Sequence, residues 1–257
     1  MKIFTKIAAL LYVDFILIRK LGWKLVETIY LPLTSVLIWG FFAAQSKDSS
    51  FEAGLLVLLV NIFWSFMYLV QSTANMQMMD DVWSGSIKQM FLAGIQENAY
   101  MAARLIFAVI IATIVLVCMF GVGSFFGATS IPLGFALLVY VTSLLGALGL
   151  AVLLGGLIIL LGKNYGFLAW TALQLFIVFS FPFYPLEKLP VVVQWFASMM
   201  PFTFVFEIIK QQMSFGTYSV NLMIAAVFVS VLYLVLSWPI YLFCFRRAQK
   251  KGNLAKL

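Results

Sequence analysis

The chain contains no histidine and only two cysteines among its 257 residues. Without imidazole there is no histidine general base, no histidine proton relay and no imidazole metal site. Cys118 and Cys244 each sit inside an apolar run, so they read as packed or lipid-facing thiols and argue for no disulfide compartment. Charge is scarce too: Asp, Glu, Lys and Arg make up 10% of residues against 64% hydrophobic, and mean hydropathy is +1.09. A soluble domain of this length cannot bury so much apolar surface, so the bilayer must act as its solvent.

The nine acids are Asp14, Glu27, Asp48, Glu52, Asp80, Asp81, Glu97, Glu187 and Glu207, nearly all at the ends of apolar runs and without metal-ligand spacing. That disfavours an intramembrane enzyme such as a lipid-modifying transferase. The shortage of ionisable residues inside the spans likewise disfavours a solitary ion-coupled carrier. The net charge of +7 invites a nucleic-acid reading until the basic residues are located. Lys2, Lys6, Arg19, Lys20 and Lys24 lie at one end of the chain; Arg246, Arg247, Lys250, Lys251 and Lys256 lie at the other. Such flanks orient spans against an anionic cytoplasmic leaflet, and no nucleic-acid partner is expected.

What remains is apolar sequence with helical punctuation. Residues 2–24 form an amphipathic pattern at the helical period, with Phe4, Ile7, Ala8, Leu11, Phe15 and Ile18 opposite Lys2, Lys6, Lys20 and Lys24. A helix lying in the membrane interface suits that separation. Six spans follow near 25–44, 54–73, 99–121, 133–161, 166–184 and 221–244, and Pro32 falls inside the first. The termini and the 74–98 and 162–165 loops hold 12 of the 16 Lys and Arg residues, and the opposite loops hold 3. That asymmetry puts both termini in the cytoplasm, consistent with an even number of spans. The expected fold is therefore an all-α membrane protein, one domain over residues 1–257.

Three segments are candidates for function. In the 74–98 loop, Asp80 and Asp81 precede Trp83 and read as the start of a short helix, since carboxylates stabilise a helix N-terminus. Val82, Ile87, Met90, Phe91 and Ile95 supply apolar anchors, and Met76, Met78, Met79 and Met90 suit an adaptable docking surface; a helix lying on the membrane is the alternative. In the fourth span Ala147, Ala151 and Gly155 recur every four residues, a spacing that lets helices pack closely within the subunit or against a second copy. Gly156 to Asn164 superficially has the form of a phosphate-binding loop. It carries one residue too many between its glycines and Asn164 where Ser or Thr is needed, so the chain is not expected to bind nucleotide.

The third segment runs from Leu186 to Gln212, LEKLPVVVQWFASMMPFTFVFEIIKQQ. Pro182, Pro185 and Pro190 break helix, Trp195 and Phe196 suit the headgroup level, and after Pro201 a short helix carries Glu207 and Lys210. Glu207 alone reads as a cargo contact, a partner for Lys210 or a solvated side chain. This order of proline-rich opening, Leu-Pro, Trp-bearing turn, Pro-Phe-Thr and downstream Glu resembles the distal half of the ABC-2 export permeases. The sequence departs from that family at Met200, where Asn is common, at Lys210, where Arg is commoner, and at Ala93-Gly94-Ile95-Gln96, where a proline is frequent.

The resemblance implies a transport subunit that performs no covalent chemistry and holds no cofactor. Residues 185–212 would form outward-side re-entrant helices, with Pro185, Pro190, Trp195, Pro201, Glu207 and Lys210 beside the pathway. A short helix using Asp80, Asp81, Val82, Trp83, Ile87, Met90 and Phe91 would couple to a separate cytoplasmic ATPase subunit carrying ATP and Mg. Two permease copies would pair in a plasma membrane, as a homodimer among membrane lipids. The implied cargo is a drug or lipid-like amphiphile, with lipid-linked polysaccharide or teichoic acid as the alternative.

Overall fold

A computed structural model describes residues 3–20, 22–45 and 47–250, all helix and connecting turns with no strand among them. Lys2, Lys251 and Lys256, expected to flank the spans, lie outside these residues, as do the side chains of Lys24 and Lys163. Among the described residues, five helices are long and apolar enough to cross a membrane. They are α2 (Gly22–Gln45), α3 (Lys47–Ser84), α5 (Glu97–Gly123), α6 (Leu133–Leu161) and α10 (Val220–Lys250). The shorter helices are α1 (Ile3–Lys20), α4 (Ser86–Leu92), α7 (Leu168–Val178), α8 (Val191–Ser198) and α9 (Thr203–Phe215).

Helix α3 is much longer than the expected 54–73. Gln71, Ser72, Thr73, Asn75 and Gln77 make residues 71–77 look like the exit from a membrane, but the helix runs on to Ser84. Gln71 and Asn75 are fully buried. Gln71 Nε2 donates to the Ala169 carbonyl at 3.0 Å and Asn75 Nδ2 to the Ala151 carbonyl at 2.9 Å, tying α3 to α7 and α6. The polarity that imitates a loop is thus interior hydrogen bonding, which low-dielectric surroundings demand of any buried amide. No proline or glycine interrupts α3 between Leu55 and Ser84; Gly85, at φ 72°, ends it in the left-handed region.

The fifth expected span, 166–184, is not one helix. Helix α7 has 11 residues, a length of about 16 Å, roughly half a hydrocarbon core. Beyond it Phe181 adopts a positive φ of 48° and Pro182, Pro185 and Pro190 hold the backbone open. Helices α8 and α9 then meet at 106°. Ala169 at the start of α7 packs with Met79 and Ile158, and Ile177 near its end joins the cluster containing Phe202, Phe206 and Ile209. The 168–219 segment therefore carries the chain from one end of the bundle to the other in pieces.

Two apolar clusters mark those ends. One gathers Leu10 of α1, Val82 of α3, Ile87 of α4, Tyr100 of α5 and Phe245 and Ala248 of α10. The other centres on the far half of α3, α5 and α6 with α9 packed into it. Helices α3, α5 and α6 contribute to both, and α6 carries the small-residue stripe. Its fully buried Ala147 and Ala151 and its Gly155 belong to an interior face, and a Cβ at Gly155 would strike Met78 and Met101 at 2.9 Å. A Cβ at Gly149 would come within 2.8 Å of the Leu234 backbone nitrogen, so α6 and α10 touch backbone to backbone. This stripe packs inside the subunit, the first of the two arrangements its spacing allows.

Candidate functional site

Helix α1 turns Leu10 and Asp14 into the bundle, with Ile7, Leu11 and Ile18 partly covered beside them. Phe4, Ala8 and Phe15 remain exposed, although the Phe15 ring meets Phe107 edge-on at 5.3 Å. The inward face is thus rotated from the one expected, because the bundle offers Asp14 a charged partner. That partner is Arg104, only 2% exposed, on the second turn of α5. Its Nη1 donates to both Asp14 carboxylate oxygens at 2.5 Å, and its Nη2 donates to Asp81 Oδ2 at 2.7 Å.

The Tyr100 hydroxyl donates to the same Asp81 oxygen at 2.7 Å, and Ser86 Oγ donates to Asp81 Oδ1 at 3.0 Å. The guanidinium carbon lies 5.2 Å from the Tyr100 ring centroid. One buried cation thereby fastens α1, α3, α4 and α5 at a single end of the bundle. Burial raises the Asp14 carboxyl above the ordinary carboxylate range, with Arg104 pulling it partly back.

Asp81 therefore does not start a short helix. It sits in the last turn of α3, and the short helix α4 follows Gly85 without a side-chain cap. Val82 and Ile87 are fully buried, as are Met78 and Met79; Met90 and Phe91 are partly buried, and Phe91 packs on Phe245 and Tyr100 at 4.8 and 5.6 Å between centroids. The expected anchors thus face the fold itself. Exposed at this end are Trp83 at 47% and Leu92 at 88%. Lys6 Nζ donates to the Gly94 carbonyl, so α1 also braces the turn between α4 and α5.

A cavity of about 470 Å³ lies beside the network, walled by α1, α2, α3, α5 and Trp170 of α7. Helices α2 and α3 meet closely away from it. There a Cβ at Gly54 would fall 2.7 Å from Ala43 Cα; at the cavity wall itself, Ser35 Oγ donates to Asn61 Oδ1 at 3.0 Å. Thr28, Leu31 and Pro32 of α2 line the cavity. The wall mixes Tyr68, Phe107 and Trp170 with Ser72, Thr73 and Gln77, and Asp14, Asp80, Asp81 and Arg104 border it.

At the opposite end, Lys210 Nζ donates to Glu207 Oε1 at 2.6 Å, to the Tyr184 carbonyl at 2.5 Å and to the Phe181 carbonyl at 3.2 Å. Glu207 Oε1 also accepts the Leu186 amide at 2.9 Å. The pair satisfies backbone groups that the proline-broken 181–186 turn leaves out of regular structure. Of the three readings open for Glu207, the ion pair with Lys210 is the one present. Pro185 and Pro190 precede the short turn at 186–188 and α8, and Pro201 lies in the turn joining α8 to α9, where Thr203 Oγ1 donates to the Ala197 carbonyl at 2.5 Å. Trp195 is exposed.

Asp14, Tyr100 and Arg104 lie outside the three segments that the sequence marks as candidates for function. Their signal was present: an acid interrupting an amphipathic helix and a lone arginine inside an apolar run are costly unless they meet. Among the described residues, no group of three or more His, Cys, Asp or Glu could hold a metal ion. Comparison with protein-family models and with curated proteins finds no match.

Proposed function

We propose that this chain is the membrane-spanning subunit of an ATP-driven exporter of the ABC-2 type, acting as one of two copies. The observation that carries the reading is the contrast between the two ends of the bundle. Short helices α1 and α4 are bound together at one, and the 106° α8–α9 pair is set into the other. In this reading the five long helices and the 168–219 segment make six crossings. The arginine- and lysine-rich end carrying both termini faces the cytoplasm of a plasma membrane. A cytoplasmic ATPase subunit, which binds ATP and Mg, presses on the α1–α4 end through Trp83 and Leu92. The buried network passes that motion to α3 and α5, moving an amphiphilic cargo outward.

The test is purification of the tagged protein from its native membranes in mild detergent, with identification of what accompanies it. A stoichiometric ATP-binding-cassette protein is expected, lost in Trp83→Asp and Leu92→Asp variants whose thermal unfolding is unchanged. A folded, homogeneous preparation without any such ATPase would overturn the reading.

A further inference from the structure

We propose that the cavity beside Arg104 is a binding site for a small cationic amphiphile: a flat or compact apolar body bearing one positive charge and N–H donors. The inference deepens the exporter reading by naming a class of cargo, yet it requires only binding by this chain.

Size and walls come first. A volume of about 470 Å³ falls within the range of drug-sized pockets, roughly 300–1,000 Å³. Phe107 and Tyr68 give the lining an apolar and aromatic character. Trp170 is held in place by donating its Nε1 hydrogen to the Gly166 carbonyl at 2.7 Å. Aromatic faces favour a cation, and desolvation strengthens the preference.

Charge then selects the sign. Arg104 is shared between Asp14 and Asp81, so one guanidinium faces two carboxylates and the network retains a net negative charge. Arg104 Nε has no hydrogen-bond partner, but an anion approaching it would meet two carboxylates that already outnumber the guanidinium. Gln77 Oε1 is also buried without a donor. An amine entering here would supply both a missing donor and the missing positive charge. The result is greater selectivity for a cation than an apolar pocket alone could give.

The network reaches α1, α3, α4 and α5, so occupancy would also bear on the end of the bundle assigned to coupling.

The experiment uses the purified chain alone in phosphatidylcholine nanodiscs, without nucleotide, titrated with ethidium and read by fluorescence polarisation against empty discs. Saturable binding is expected for ethidium but not for the similarly sized anion anilinonaphthalene sulfonate. Thr73→Trp, which fills the cavity without touching the charges, should weaken ethidium at least tenfold at unchanged thermal unfolding. Asp14→Asn should weaken it similarly by removing the excess negative charge. Ethidium binding no greater than to empty discs, equal binding by Thr73→Trp, or saturable binding of the anion would each overturn the proposal. Failure of an ATPase to co-purify would leave this site standing while removing the exporter reading. A co-purifying ATPase with no ethidium binding would do the reverse.

Discussion

Asp14 and Arg104 lie ninety positions apart in sequence and share two hydrogen bonds of 2.5 Å, both side chains buried at the edge of the cavity. Their pairing turns α1 from an independent amphipathic segment into part of the bundle. A buried ion pair need not add net stability over well-packed apolar groups, but removing one partner leaves the other charge stranded.

Arg104→Leu should therefore destabilise the protein more than Asp14→Leu, since it strands two carboxylates rather than one cation that still holds Asp81. Losses of about 3–5 kcal/mol are expected for the single changes. The combined Asp14→Leu, Arg104→Met and Asp81→Leu variant should recover most of that loss in thermal unfolding. If the triple variant is no better than Arg104→Leu alone, charge pairing is not what holds α1 in place.

Close approach of α6 and α10 makes a second prediction. Gly149→Ala puts a methyl group against α10 backbone and should cost about 1–3 kcal/mol, because two packed helices cannot yield as a side-chain tip can. Gly134→Ala, near the start of α6 where no neighbour lies within 4 Å, should be neutral or slightly stabilising. Melting temperatures of the two variants in one detergent decide the matter. Similar values for both would contradict the packing account.

Much of this architecture was legible because long apolar runs and proline carry strong signals. The break around Pro185, Pro190 and Pro201 was readable from the prolines alone. Helix α3 was not, because Gln71 and Asn75 have the same residue types whether they leave a membrane or bond across its interior. Only the carbonyls of Ala151 and Ala169, far away in sequence, separate the two cases. The network was hidden for the same reason. Asp14, Asp81 and Arg104 look like end-of-span charges until three helices bring them together. Val82 and Ile87 read as exposed anchors because the sequence of 74–98 has the polarity of a loop with no core of its own.

The clamp between α9 and the 181–186 turn predicts a local rather than global effect. Glu207→Gln keeps an acceptor but loses the charge that holds Lys210, and Lys210→Met removes the donor to Phe181 and Tyr184 altogether. Hydrogen exchange at the Leu186 amide should quicken by on the order of tenfold in Lys210→Met, the equivalent of one lost charged hydrogen bond. Exchange in α5 and α6 should stay as in the parent. An unchanged Leu186 amide in both variants would show that the turn holds itself.

Burial also separates residues that sequence had grouped together at the α3–α4 end. Ile87 is fully covered, whereas Leu92, five positions on, is 88% exposed. Ile87→Asp would place an unpaired carboxylate among Leu10, Tyr100 and Phe245, and loss of the folded, monodisperse protein is expected. Leu92→Asp should leave the melting temperature within about 1 °C of the parent, because exposed substitutions shift stability by only a few tenths of a kcal/mol. Size-exclusion profiles and melting curves of the two variants test this directly. A well-folded Ile87→Asp protein would mean that α4 is not packed against α1, α5 and α10, and would remove the route by which the α3–α4 end communicates with the buried network.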